Sequence, residues 1–95
     1  MQEIQQQVKD NIDWILKNES IYNAFNGGNC FEIEIENELY EICLSSARDR
    51  ENNFYIEFDL VQDDEILESD YTYAITKAEL IEDITNFISE VLKNE

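Results

Sequence analysis

The sequence predicts a two-layer α+β domain: a four-stranded antiparallel sheet with N- and C-terminal helices on one face, in the order α-β-β-β-β-α. Three observations carry this. Residues 31–44 and 54–61 alternate apolar and acidic side chains with period two, the mark of strands with one buried and one wet face. The two ends of the chain repeat apolar residues at helical spacing instead. Each helix has a single apolar face, so the simplest packing lays both on one side of the sheet. Ninety-five residues, 43% of them hydrophobic and 12% aromatic, make one domain, 1–95, with a single core.

Residues 3–17 read as the first helix, with Ile4, Val8, Ile12, Ile15 and Leu16 on one stripe and Trp14 packed at its edge. Ile21, Tyr22, Ala24 and Phe25 continue it or form a short second helix. Gly27-Gly28 ends the helical region, because glycine accepts the left-handed backbone found at helix C-termini. Strands follow at Phe31–Glu36, Leu39–Leu44 and Phe54–Val61, with a fourth inside Ile66–Ile75. Asn37-Glu38 is the predicted two-residue loop of the first hairpin, residues 45–53 a polar connection, and Asp63-Asp64 the last turn. Thr76 and Glu79 then form a capping box before the closing helix, whose face is Leu80, Ile81, Ile84, Phe87, Ile88, Val91 and Leu92.

The loops imply a register. Ile35 faces Tyr40, Ile33 faces Ile42 and Phe31 faces Leu44; across the next pair Leu44 meets Phe54 and Ile42 meets Ile56. The last turn sets Leu60 against Leu67, Ile56 against Tyr71 and Phe54 against Tyr73. One face is then apolar, with the tyrosines and phenylalanines as core rather than a base-stacking platform. The other face carries Glu32, Glu34, Glu36, Glu41, Glu57, Asp59, Glu68 and Asp70, with Leu39, Cys43, Tyr55 and Thr72 among them. In this register a row Glu34–Glu41–Glu57–Asp70 crosses the sheet at roughly 4.8 Å per strand. Like charges opposed across strands destabilise a sheet, so a face built for stability alone would use bases or threonine there.

The charge sharpens the point. Twenty-three acids stand against six bases, Lys9, Lys17, Arg48, Arg50, Lys77 and Lys93, for a formal charge of −17. Such a surface repels nucleic acid and anionic membranes, and its natural partners are basic protein surfaces. No stretch approaches the roughly 18 apolar residues of a membrane span. Met1 to Asp10 lack the apolar core of a signal peptide, so the expected location is cytoplasmic and the Asn18-Glu19-Ser20 sequon unused. Cys30 and Cys43 are too few for a disulfide scaffold and are not opposed in this register, so reduced thiols are expected.

Enzyme chemistry finds little support. The chain has no histidine, so triads and histidine proton transfer are absent. Carboxylate pairs such as Glu34 and Glu41 lie on an open face with nothing to raise a pKa. Gly27-Gly28 lacks the spacing of a phosphate loop. Two cysteines without histidine do not make a typical four-ligand zinc site, and Asp63-Asp64-Glu65 lacks the spacing and central glycine of a calcium loop. No cofactor and no metal are expected. Arg48 and Arg50, set in an acidic field, are expected to form internal ion pairs.

The expected function is therefore non-catalytic binding, by a monomer or weak homodimer, through Glu32, Glu34, Glu36, Glu41, Tyr55, Glu57, Asp59, Glu68 and Asp70. Rigidly spaced carboxylates can imitate a nucleic-acid backbone and occupy a groove lined with Lys and Arg. The alternative is an immunity protein or assembly subunit that holds a basic protein partner through the same face. In size, acidity and mixed helix–sheet build the chain resembles, as a class, small phage-borne inhibitors of nucleic-acid enzymes such as anti-CRISPR proteins and uracil-DNA glycosylase inhibitors. That resemblance implies an inhibitor of the nucleic-acid-mimic kind and carries no residue over.

Overall fold

The computed structural model describes residues 3–74 and 76–93. The order is α1 (Ile4–Ile15), α2 (Ile21–Ala24), β1 (Asn29–Ile35), β2 (Glu38–Arg48), β3 (Phe54–Gln62), β4 (Glu65–Thr72) and α3 (Lys77–Lys93). The four strands form one antiparallel sheet in sequence order. Apart from the short α2, this is the predicted α-β-β-β-β-α arrangement.

The core lies between the sheet and the two long helices. Val8 and Ile12 from α1 and Leu80, Ile84 and Ile88 from α3 are fully enclosed with Ile42, Leu44, Ile56 and Leu60 of the sheet. Phe58 and Phe87 meet edge to face at 4.8 Å, a preferred aromatic geometry. Trp14 departs from its expected place: it is 75% exposed, with the Lys17 ammonium over its ring. Lys9 and Lys77 both reach Asp13, at 2.7 and 2.9 Å, tying α1 to the start of α3. The Lys9 bond, then that of Lys77, holds the Asp13 carboxyl below its ordinary pKa.

Local chemistry explains the element ends. The Ser20 hydroxyl accepts the Asn23 amide and caps α2. Phe25 is buried, and its carbonyl accepts the Ser46 amide, so α2 lies against β2. Gly27 and Gly28 then turn the chain at φ 91° and 94°. At α3 the Glu79 amide donates to the Thr76 hydroxyl oxygen, and that hydroxyl donates to the Glu79 carboxylate. The predicted cap pair is present, with the carboxylate bound to the hydroxyl. The predicted end of the fourth strand at Ile75 lies outside the described residues.

All three hairpins differ from the predicted register. In the first, Glu36 and Asn37 both have positive φ, 51° and 68°, as a two-residue primed turn requires. The loop is therefore Glu36-Asn37, and Ile33 faces Tyr40 while Phe31 faces Ile42. In the second, β2 runs on to Arg48 and the loop is only residues 49–53, so Leu44 faces Phe58 and Ser46 faces Ile56. The loop is short because the Asp49 carboxylate accepts the Glu51 and Asn53 amides and builds the turn. Both shifts are by an even number of residues, so every side chain of β1 and β2 keeps its face.

The third hairpin does not. Asp63 and Asp64 make the expected turn, with φ 53° and 64°. Beyond Val61↔Ile66 the pairing then slips by one at a bulge, so that Leu60 faces Glu68 and Ile56 faces Thr72. An extra residue, Leu67, packs on the core, and every residue after it changes side. The expectation that Tyr71 and Tyr73 are core is corrected: they stand on the open face, 58% and 48% exposed. Thr72 crosses the other way and donates its hydroxyl to Asp83 of α3. That polar tie is what a bulged edge strand can make where the margin of α3 carries Asp83 rather than an apolar side chain.

Candidate functional site

Among the described residues, no element covers the face of the sheet away from the helices. Its rows, read across the strands, are Cys30–Cys43–Asp59–Ser69, Glu32–Glu41–Val61–Ile66, Glu34–Leu39 and Ser45–Glu57–Tyr71. Ala47 and Tyr55 follow as the next pair. Five carboxylates therefore share the face: Glu32, Glu34, Glu41, Glu57 and Asp59. Arg48 is the one base within the four strands, and it points to the helix side, stacked 4.7 Å from the Tyr22 ring centroid.

Six of the nine sequence-predicted site residues lie together here: the five acids and Tyr55. Glu36 sits in the first turn instead. Glu68 and Asp70 leave from the opposite side, because they pair with the core residues Leu60 and Phe58. The predicted row Glu34–Glu41–Glu57–Asp70 does not form. Glu34 faces Leu39, Glu41 lies between Glu32 and Val61, Glu57 between Ser45 and Tyr71. A single acid pair, Glu32↔Glu41, is directly opposed, so repulsion is more dispersed than the aligned row implies.

The expectation of reduced cysteines is also corrected. Cys30 and Cys43 are directly opposed and joined in a disulfide, their Cα atoms 4.1 Å apart. Such close approach belongs to the non-hydrogen-bonded pairs of an antiparallel ladder. The sequence held a signal for it: a two-residue loop at Glu36-Asn37 is the one that sets the cysteines face to face. Glu41 lies close enough for its carboxylate and the two sulfurs to form a group within 4.8 Å. A disulfide sulfur is not a thiolate, so in this state the group is not a metal-ligand set.

The ion pairs expected of Arg48 and Arg50 do not form among the described residues. Arg48 donates to the Asn52 carbonyl at 2.8 Å, and among the described residues the ion pairs are those of Asp13.

At the other end of the face, Tyr55, Tyr71 and Tyr73 form a triad that the sequence reading missed. The ring centroids are 5.8 Å apart for Tyr55–Tyr71, 5.5 Å for Tyr55–Tyr73 and 5.9 Å for Tyr71–Tyr73. Two phenols are pinned by carboxylates: Tyr55 donates to Glu57 at 3.2 Å and Tyr73 to Asp49 at 3.0 Å. Desolvation, then the Glu57 bond, raises the Tyr55 pKa above its ordinary value. For Tyr73 the Asp49 bond leads, followed by desolvation. The Asn53 amide, foremost among its partners, holds the Asp49 carboxyl below the ordinary carboxylate value. One signal for this cluster was legible: the adjacent apolar pairs Leu60-Val61 and Ile66-Leu67 interrupt strict alternation where the bulge sits.

With this geometry in hand, comparison with known proteins adds no relative: no family model matches the chain, nor does any curated protein or any solved structure.

Proposed function

We propose that this protein is a non-catalytic acidic binder that occupies a basic, nucleic-acid-binding surface of another protein through its open sheet face. The observation that supports this most is the face itself: five carboxylates and no base on an uncovered sheet, in a chain of net charge −17. Backbone hydrogen bonds hold these carboxylates at fixed spacing, so a groove lined with Lys and Arg meets a preorganised array. Counter-charge steering then favours fast association that weakens steeply with salt.

Reversing Glu34, Glu41, Glu57 and Asp59 to Lys tests the reading in a pull-down eluted by rising salt. Loss of the captured protein with an unchanged circular dichroism spectrum is the expected result. Capture that survives all four reversals would sink it. The second reading, an immunity protein or assembly subunit, draws support from the exposed Leu39 and tyrosines, which favour a shaped protein partner over a bare phosphate groove. Competition separates the two: DNA or RNA displaces a nucleic-acid mimic from its target and leaves an off-site binder bound.

Among the described residues, no helix is long and apolar enough to cross a membrane. The reading places the protein in the cytoplasm, where the Cys30–Cys43 bond would be open to reduction by cellular thiols.

A further inference from the structure

The geometry points to a receptor for a single arginine side chain of the partner, built from the Tyr55–Tyr71–Tyr73 triad and the Glu57 carboxylate. The inference rests on the acidic-face reading and names the contact that would anchor it. Tyr71 and Tyr73 are exposed by about half, though a one-residue difference in register would have buried them. The rings line an open concavity of about 380 Å³ that also includes Glu57, Ser69 and Asp70.

Three features select the occupant. The rings stand at steep or tilted angles to one another, 71°, 83° and 43°, and all three border one concavity, so an occupant there meets aromatic surface from more than one direction. Two of the phenols donate to carboxylates, which pushes electron density into their rings and strengthens the attraction for a cation. Only one Glu57 oxygen is engaged by Tyr55, and a carboxylate has room for further donors. A guanidinium stacks on an aromatic plane while its N–H groups fork to a carboxylate; an ammonium matches only the charge. A nucleobase would stack equally well, but its phosphate would meet the acidic field.

The test is a titration of the intact protein with hexa-arginine, hexa-lysine and hexa-citrulline peptides at low salt, followed by NMR of the tyrosine rings. Hexa-arginine is expected to bind more tightly than hexa-lysine, with the largest shifts on the triad, and hexa-citrulline to bind negligibly. Tyr71→Leu keeps apolar area and loses the π face, so it should weaken hexa-arginine binding roughly three- to tenfold. Tyr71→Phe should restore it. If Tyr71→Leu binds hexa-arginine as the wild type does, the receptor is wrong while the acidic-face reading stands. If hexa-arginine does not bind the wild type even at low salt, both fail.

Discussion

The two outer hairpins of the sheet make an instructive pair. In β1–β2 the register departs from the sequence-based expectation by two residues, yet every side chain stays on its predicted face. In β3–β4 the turn is the predicted one and a single bulged residue still moves Glu68 through Tyr73 to the opposite side. Period-two patterning is blind to even shifts and completely overturned by odd ones. The first hairpin thus keeps its acidic face and gains a disulfide. The second loses two predicted acids from the face and gains two tyrosines.

The edges differ in the same way. Glu34 offers its free backbone groups on the outer side of β1, and the Gln7 side chain takes both. Its amide nitrogen donates to the Glu34 carbonyl at 2.7 Å, and its oxygen accepts the Glu34 amide at 2.8 Å. A glutamine from α1 thereby stands in for a neighbouring strand and blunts that edge. On β4 the bulge does the corresponding work by breaking the regular edge.

The largest test of this contrast is the disulfide. It closes a loop with a sequence separation of 13, so reduction or a double Cys→Ser change should cost about 2–3 kcal/mol by loop-closure entropy. Chemical denaturation with and without reductant measures it, and an unchanged midpoint would mean the cysteines are not bonded in solution. Next comes charge relief. Glu41→Lys places a base opposite Glu32 and should stabilise the protein by about 0.5–1 kcal/mol at low salt, less at high salt. No gain would contradict the observed pairing.

A smaller effect checks the bulge. Tyr71→Ala on an open face should cost under about 1 kcal/mol, whereas a buried aromatic truncated to Ala costs roughly 3–5 kcal/mol. A large loss in thermal denaturation would return Tyr71 to the core and restore the unbulged register. The smallest effect is spectroscopic. Tyr73 has its folded pKa raised, first by its bond to Asp49, so its contribution to stability is complete below about pH 10 and fades as pH rises through the folded value. Asp49→Asn should bring its ionisation back toward that of a free phenol in an ultraviolet alkaline titration.

Much of the fold was legible because it depends on quantities local in sequence. Helical periodicity located α1 and α3, alternation located the strands, and Asp63-Asp64 marked its turn. The position of the loop around Glu36-Asn37 was less legible, since Asn37 suits either of two adjacent frames. The triad was least legible, because tyrosine fits a core as readily as a surface and its face follows from a bulge at Leu67.

By itself, then, the sequence determined an α+β sandwich with one apolar and one acidic sheet face, because burial of periodic apolar residues admits one layering. Tertiary structure alone decided which residues stand opposite one another. Turn geometry at Glu36-Asn37 brought Cys30 to Cys43. The meeting of β4 with the polar margin of α3, through Thr72 and Asp83, accompanies the slip that turned the tyrosines outward. Side-chain pattern specifies a face; turn geometry and packing against neighbouring elements specify a partner.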